Sequence, residues 1–397
     1  MSNGLARLEV HNFRSLAHVD ISLGPVNVLF GPNGSGKSTF LDTIWFVRDC
    51  SRRGVDEASS ERSHGIGALW DGADEGANIA ITLETDLAEY TVRFGYSSGR
   101  IEPFVGETLY SKERDQLVMD RKIGSDNASF WHTKMEERMQ VSLREPEKLA
   151  LTRYLDLEEW SPSAAYNLEK SLKFTNLYSW READFYRLRN IGSDVRPHLH
   201  LYDRAENLWS VLQNTLGRRA QSDQYDTIVG FMRQGFPLFN DLLIETTGAN
   251  RVYGSFIERG RRQPIQASGV SDGHLQLLSL LTALFSTGRD REAIVMFDEP
   301  EMSLHPHALA VFAKAVKLVA EEWNRQVFIA THSPVLISQF EPESILAFEL
   351  DQAGKTVITR LSEIDAIQDL LRQYAAGSLY MAEVIAAQSS LLPEAGE

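Results

Sequence analysis

One cysteine, Cys50, stands in 397 residues, so no disulfide can form within the chain. That usage fits a reducing compartment and excludes a small disulfide-stapled scaffold. Long apolar runs are missing too. No stretch reaches the roughly 18 uninterrupted apolar residues of a spanning helix. The start, Met1-Ser2-Asn3-Gly4-Leu5-Ala6-Arg7, lacks the apolar core of a signal peptide. A soluble, cytoplasmic protein with no membrane partner is expected. No heptad register persists over several repeats, which excludes a long coiled coil. Positive charge is in deficit: 40 Lys and Arg face 55 Asp and Glu, for a net charge of −15. Indiscriminate binding to nucleic acid is disfavoured, while a local basic strip on an acidic body is not. Hydrophobic content of 43% and charged content of 24% are those of a globular chain with one large or two ordinary domains.

What is there centres on Gly31-Pro32-Asn33-Gly34-Ser35-Gly36-Lys37-Ser38-Thr39. A glycine, four residues, then Gly-Lys-Ser is the P-loop spacing. The β-like run Val26-Asn27-Val28-Leu29-Phe30 precedes it, and the helical run Phe40–Val47 follows. The glycines let successive N–H groups point into one concavity that suits phosphate oxygens. The helix dipole turns its positive end toward the same anion. Lys37 is expected to reach the β- and γ-phosphates and Ser38 to hold Mg²⁺.

Around this loop, residues 5–30 read as two alternating strands and a turn carrying Asn12-Phe13-Arg14-Ser15. Residues 49–77 are polar and glycine-rich, and read as a loop. Strand patterns at Ile79–Glu84, Tyr90–Tyr96 and Gln116–Met119 suggest an antiparallel sheet beside the nucleotide site. From about residue 134 to 245 the pattern reads as helical. Arg251, Arg259, Arg261 and Arg262 fit either a solvated hairpin tip or a phosphate contact. Ser271-Asp272-Gly273 opens a strongly apolar helix and makes a good N-cap signal. Ala293–Phe297 is an apolar run ending in Asp298-Glu299-Pro300. Beside a P-loop strand, such a run forms the Walker B arrangement, with Asp298 on the Mg²⁺ shell and Glu299 polarising the attacking water. Val327–Ala330 is a second buried strand, and it ends in Thr331-His332-Ser333-Pro334. His332 there lies at the carboxyl edge of a parallel sheet, where phosphates bind. A hairpin at Ile345–Leu350 and Thr356–Arg360 and a helix near Ile364–Tyr374 complete the reading.

The order and spacing of Asn12–Ser15, the P-loop at 31–39, Val270-Ser271-Asp272-Gly273-His274, Asp298–Pro306 and Thr331–Pro334 resemble ABC-type ATPase heads of the RecF/SMC class. Within that class the chain resembles small bacterial ATPases related to the overcoming-lysogenization-defect (OLD) proteins. The fold implied is α/β: a P-loop NTPase of ABC type, a mixed sheet with flanking helices and a helical insertion lobe. The organisation implied is an ATPase part over 1–130, a helical lobe over 131–250, the rest of the ATPase over 251–350, and a hairpin with a helical tail over 351–397. ATP and Mg²⁺ are the implied ligands. Asn33, Gly34, Gly36, Lys37, Ser38 and Thr39 would hold the phosphates, Arg14 would sit near the nucleotide, and Ser38 and Asp298 would hold the metal.

The resemblance also makes Glu299 the catalytic base and His332 the switch histidine. Val270–His274 takes the place of the ABC signature, so Ser271 and Gly273 would meet the γ-phosphate on the other subunit's P-loop. Asp272 stands where that signature has glycine, and His274 where it has glutamine. Met302–His305 would be the D-loop. The Q-loop glutamine has no clear place; Gln116 and Gln140 are the candidates. Two heads sandwiching two ATPs follow, as a homodimer or a higher homo-oligomer. OLD-type proteins carry a nuclease domain of the TOPRIM kind after the ATPase. Only 65 residues follow His332 here, too few for one. The expectation is an ATP-driven switch in a DNA-linked, anti-phage complex with a separate effector such as a nuclease, and with double-stranded DNA as a further partner. A RecF-like repair ATPase is the alternative. A transporter subunit is disfavoured by the Asn12–Ser15 motif and the Ser-Asp-Gly signature.

Overall fold

The computed structural model describes residues 4–157, 160, 162–179, 181–218, 222–248, 250–286, 293–364 and 375–382. Arg7–Phe13 (β1) and Leu16–Ser22 (β2) pair antiparallel around the turn that carries Arg14. Val26–Phe30 (β3) leads into the glycine loop, and Lys37–Arg53 (α1) leaves it. The polar stretch after α1 holds a short helix, Val55–Ser60. Then come Ile79–Glu84 (β4), Ala88–Phe94 (β5), Gly106–Ser111 (β6), Gln116–Arg121 (β7), Asn127–His132 (β8) and Glu137–Ser142 (β9). With β1 and β2 they form an eight-stranded antiparallel sheet in the order β9-β8-β7-β6-β5-β4-β1-β2.

The helical reading of residues 134–245 needs correcting wherever a strand interrupts it: at Glu137–Ser142, at Thr175–Ser179, at the two-residue Ser193–Asp194 and from Phe239 onward. Glu137–Ser142 is an edge strand, exposed or half-exposed at every position, so its polar composition looks like a solvated helix. Helices do follow at Ala150–Asp156 (α2) and Ser163–Lys173 (α3). Thr175–Ser179 (β10) is then a strand again. Phe185–Asn190 (α4), Leu208–Leu216 (α5) and Ser222–Gly235 (α6) come next. Phe239–Thr247 (β11) and Arg251–Glu258 (β12) make a hairpin. Arg251 pairs with Asp194 there, and Arg259, Arg261 and Arg262 lie exposed in the turn after it. Asp272–Phe285 (α7), Ala293–Asp298 (β13), Pro306–Glu322 (α8), Arg325–Thr331 (β14), Ile345–Leu350 (β15) and Thr356–Arg360 (β16) are the main elements that follow, with short helices at Pro334–Ile337 and Ala376–Met381. Residues 365–374, where a further helix was expected, lie outside the described residues.

Strand β3 is buried at all five positions. A strand with no solvent face needs cover on both sides. It gets this at the centre of a six-stranded sheet, β10-β13-β14-β3-β15-β16, parallel except for β16. The Walker B strand β13 is therefore not the direct neighbour of β3, because the β13–α8–β14 crossover places β14 between them. Alternation along β13 serves two cores. Ile294 and Met296 join the core under α1, α2, α3 and the antiparallel sheet, while Val295 and Phe297 join the one gathered by α5, α6, α7 and α8. Each fully buried side chain of this size contributes about 1.5–3 kcal/mol. With both faces filled, the carboxyl ends of β3, β13 and β14 open together on one edge.

Candidate functional site

At that edge the glycine loop has the backbone that its sequence demands. Gly31 and Gly36 adopt φ of 150° and 101°. A Cβ at Gly31 would lie 2.1 Å from the Phe348 carbonyl, and one at Gly36 2.3 Å from Thr356 Oγ1. The β15–β16 hairpin thus presses against the loop, and Thr356 Oγ1 donates to the Ser35 carbonyl at 2.9 Å. Lys37 Nζ donates to the carbonyls of Gly31 and Pro32 at 2.9 and 2.8 Å. Burial pulls the lysine's pKa down to about 8, against the upward pull of Asp298, Glu299 and Glu301. Asn33, Gly34 and Ser38 are exposed at the mouth, and Thr39 is half-buried on the first turn of α1.

Two adjacent carboxylates close the site from β13. Ser38 Oγ donates to Asp298 Oδ1 at 3.0 Å. Burial raises the pKa of Asp298, and the Ser38 hydroxyl opposes the shift. Two hard oxygens on a half-buried carboxylate and a hydroxyl form a donor set that fits Mg²⁺. Glu299 turns elsewhere because its backbone is left-handed, at φ 53°. Its N–H donates to the Ala330 carbonyl at 2.8 Å, which locks the turn to β14. Its carboxylate lies 3.9 Å from His332 Nε2. It also takes a forked ion pair from Arg181, with Nη2 at 2.6 Å from Oε1 and Nε at 3.0 Å from Oε2. Burial and the charge on Lys37 lower the pKa of His332, favouring its neutral form. The His332 backbone N–H donates to Glu301 Oε1 at 2.7 Å.

Arg14 sits at φ 51° in the β1–β2 turn and pairs with Asp42 of α1 at 3.1 Å. It lines a cavity of 740 Å³ with Ser15, Leu69, Trp70 and Gly354. Lys355 Nζ lies 4.7 Å from the Trp70 ring centroid. Through Ser15, whose hydroxyl donates to Thr356 Oγ1 at 2.9 Å, the cavity adjoins the glycine loop. Its aromatic wall and cations form a surface suited to a base and its ribose.

The signature-like segment lies elsewhere. Ser271 stands at the N-cap position of α7, but its hydroxyl meets the His274 ring at Nδ1, 2.8 Å away, rather than a backbone N–H of the helix. A Cβ at Gly273 would sit 2.7 Å from the Ser303 carbonyl. Gln276 donates to the Pro300 carbonyl at 2.7 Å. The start of α7 is thus fastened to the turn after Glu299. Among the described residues, no hydrogen bond or ion pair joins Val270–His274 to the P-loop. His305 caps α8.

The structure therefore brings Lys37, Ser38, Asp298, Glu299 and His332 together, with Arg14 flanking. Ser271 and Gly273 belong to a separate surface. Gln116 and Gln140 lie on β7 and β9, away from the β1–β2 end of the large sheet, and are no part of the site. Two further site residues were not singled out in the sequence. Arg181 fell inside a stretch read as helix, where only the β pattern of Thr175–Ser179 would have placed it at the sheet edge. Glu301 follows Pro300, and its burial, which raises its pKa, depends on long-range packing.

A family model described as "AAA domain, putative AbiEii toxin, Type IV TA system" matches residues 26–338. The OLD nuclease of Thermus scotoductus is 22% identical over 400 residues, covering 98% of this chain and 71% of that protein. The DNA replication and repair protein RecF of Psychromonas ingrahamii is 43% identical over 44 residues, which is 11% of this chain and 12% of that one. Among solved structures, an SMC head bound to the C-winged helix domain of ScpA superposes with a TM-score of 0.51 at 16% identity. That match covers 91% of this chain and 99% of the other. The fold is thus that of SMC heads, and the chain is an ATPase of the RecF/SMC/OLD class. With a glycine loop, a Walker B edge and a family match over most of its length, the chain belongs to the AAA domain family described as a putative AbiEii toxin of type IV toxin–antitoxin systems.

Proposed function

We propose that this chain is an ATP-driven switch whose hydrolytic sites are completed by a second copy. The observation that carries the proposal is the separation of two half-sites. Lys37, Ser38, Asp298, Glu299 and His332 share the edge of the parallel sheet, whereas the helix opened by Ser271 and Gly273 is tied to the Pro300 carbonyl through Gln276 and packs closely at Gly273 against the Ser303 carbonyl. A helix N-terminus is a ready anion site, and this one is left for a phosphate outside its own P-loop. In the ATP-bound pair, the P-loop amides of Asn33–Thr39 and Lys37 bind the phosphates. Ser38 and Asp298 would hold Mg²⁺, which would supply positive charge against the phosphates. Glu299 accepts the proton of the attacking water, and His332 lies beside it to contact the γ-phosphate. Arg14 and Trp70 flank the base.

ATP then acts as the adhesive between two heads, and hydrolysis releases them. An interface that opens and closes in this way suits control of a partner. The proposed setting is a DNA-linked, anti-phage complex in which a separate chain, such as a nuclease, is the effector. The OLD nuclease likeness supports that setting. Light scattering of Glu299→Gln with and without ATP·Mg²⁺, repeated with double-stranded DNA, tests the proposal. The glutamine keeps the shape and loses the base, so turnover should drop on the order of 10²–10⁴-fold while ATP-dependent dimers or larger assemblies persist. Turnover equal to that of the unaltered protein would refute the role of Glu299. Assembly without DNA co-elution would move the specificity to the partner chain.

A further inference from the structure

The register of β10 delivers the chain to the catalytic edge. Ser179 is paired with Asp298, so the residues after it emerge beside the two carboxylates. Arg181, two positions on, folds back and occupies both oxygens of Glu299. The arginine side chain is 66% exposed and that of Glu299 is 19% exposed. The chain then enters α4, whose Arg189 pairs with Asp272 on the first turn of α7. One short segment thus places a cation on the candidate base and another on the signature helix. The charge of Arg181 reaches beyond its partner, acting on both Asp298 and His332.

We propose that Arg181 is shared between Glu299 and the γ-phosphate of bound ATP, holding the base until the phosphate takes the guanidinium. This rests on the reading of the P-loop and Glu299 given above. An arginine fork fits phosphate oxygens as well as carboxylate oxygens. The ion pair is exposed on the arginine side, so exchanging partners desolvates little. While Arg181 occupies Glu299, neither carboxylate oxygen is free of it to take a proton from water. After exchange, Glu299 is released at the moment when positive charge is added to the phosphate. Because α4 links the same segment to Asp272, the exchange also carries the state of the phosphate to the signature helix.

The test is a titration of the full chain, in Mg²⁺, with ADP and with ATP carrying a non-hydrolysable β,γ-imido bridge. In Arg181→Ala, the analogue should bind on the order of tenfold or more weakly, the loss of a charge-assisted contact, while ADP affinity stays within about twofold. Arg181→Lys should recover part of the loss, since it keeps the charge without the fork. Equal weakening of both nucleotides would overturn the proposal. Unchanged analogue affinity would do so as well, with or without faster turnover, since that outcome leaves only a lock on Glu299 or a solvated ion pair. Lys37→Ala separates the two levels. If it loses both nucleotides while Arg181→Ala loses neither, the nucleotide site stands and the Arg181 proposal alone falls. If Lys37→Ala binds both as before, the underlying reading falls first.

Discussion

Glu299 shows how one backbone angle divides the work of two neighbouring carboxylates. Asp298 ends a strand and points to Ser38, while Glu299, left-handed at φ 53°, points to Arg181 and His332. A non-glycine residue held there costs roughly 1–3 kcal/mol, which the bond to Ala330 and the packing of β14 must hold in place. His274 gives a second residue-scale consequence. Its ring stacks on Phe236 with centroids 3.7 Å apart, and burial lowers its pKa. The ring is therefore neutral in the fold over a range where the unfolded chain is protonated. Its stabilising contribution is complete above about pH 6.5 and is lost as pH falls through the lowered folded value. Thermal unfolding should show a smaller loss between pH 7.5 and the acid range in His274→Gln than in the unaltered chain. An identical loss in both would remove His274 from the acid response.

Among the elements, the clearest joint lies far from the glycine loop. Glu107 of β6 is fully buried. It accepts from Tyr90 at 2.7 Å, from Arg121 at 3.2 Å, and from the N–H groups of Ala150 and Leu151 at 2.6 and 3.2 Å. One carboxylate thereby pins the start of α2 to three strands. Glu107→Ala leaves the Arg121 guanidinium buried without its carboxylate, so urea unfolding should report a loss of about 3–5 kcal/mol. A loss under about 1 kcal/mol would mean that the pair behaves as a solvated surface contact. Nothing in the sequence announces this joint, because its partners are spread from residue 90 to residue 151. The legible elements were those with one dominant local force. Strands β3, β13 and β14 carry the apolar runs Val28–Phe30, Ala293–Phe297 and Val327–Ala330, α7 carries leucines around its whole girth, and the 345–360 hairpin has a turn between an apolar run and a β-branched one. Two of the missed strands lie at edges. Both β9 and β10 bury too few side chains to show a period of two, and with β10 went Arg181.

At the scale of the whole molecule, the candidate half-sites predict a complementation. Lys37→Ala removes the P-loop function and Ser271→Arg places a bulky cation at the exposed cap of the signature helix. Each variant alone should be inactive. In a mixed dimer both lesions fall in one shared site, and the other site is intact. Mixing the two should therefore restore phosphate release, whereas no recovery would mean that each chain completes its own site. The strand order has a different consequence, in the order of synthesis. Both neighbours of β3, β14 and β15, are encoded some 300 residues after it, and the Thr356 clasp comes later still. At 5–20 residues per second, β3 waits roughly 15–60 s on the ribosome without a partner strand. Its apolar run must be shielded for that time by the early lobe or by a chaperone, and the nascent chain gains its nucleotide pocket only after residue 356 has been made.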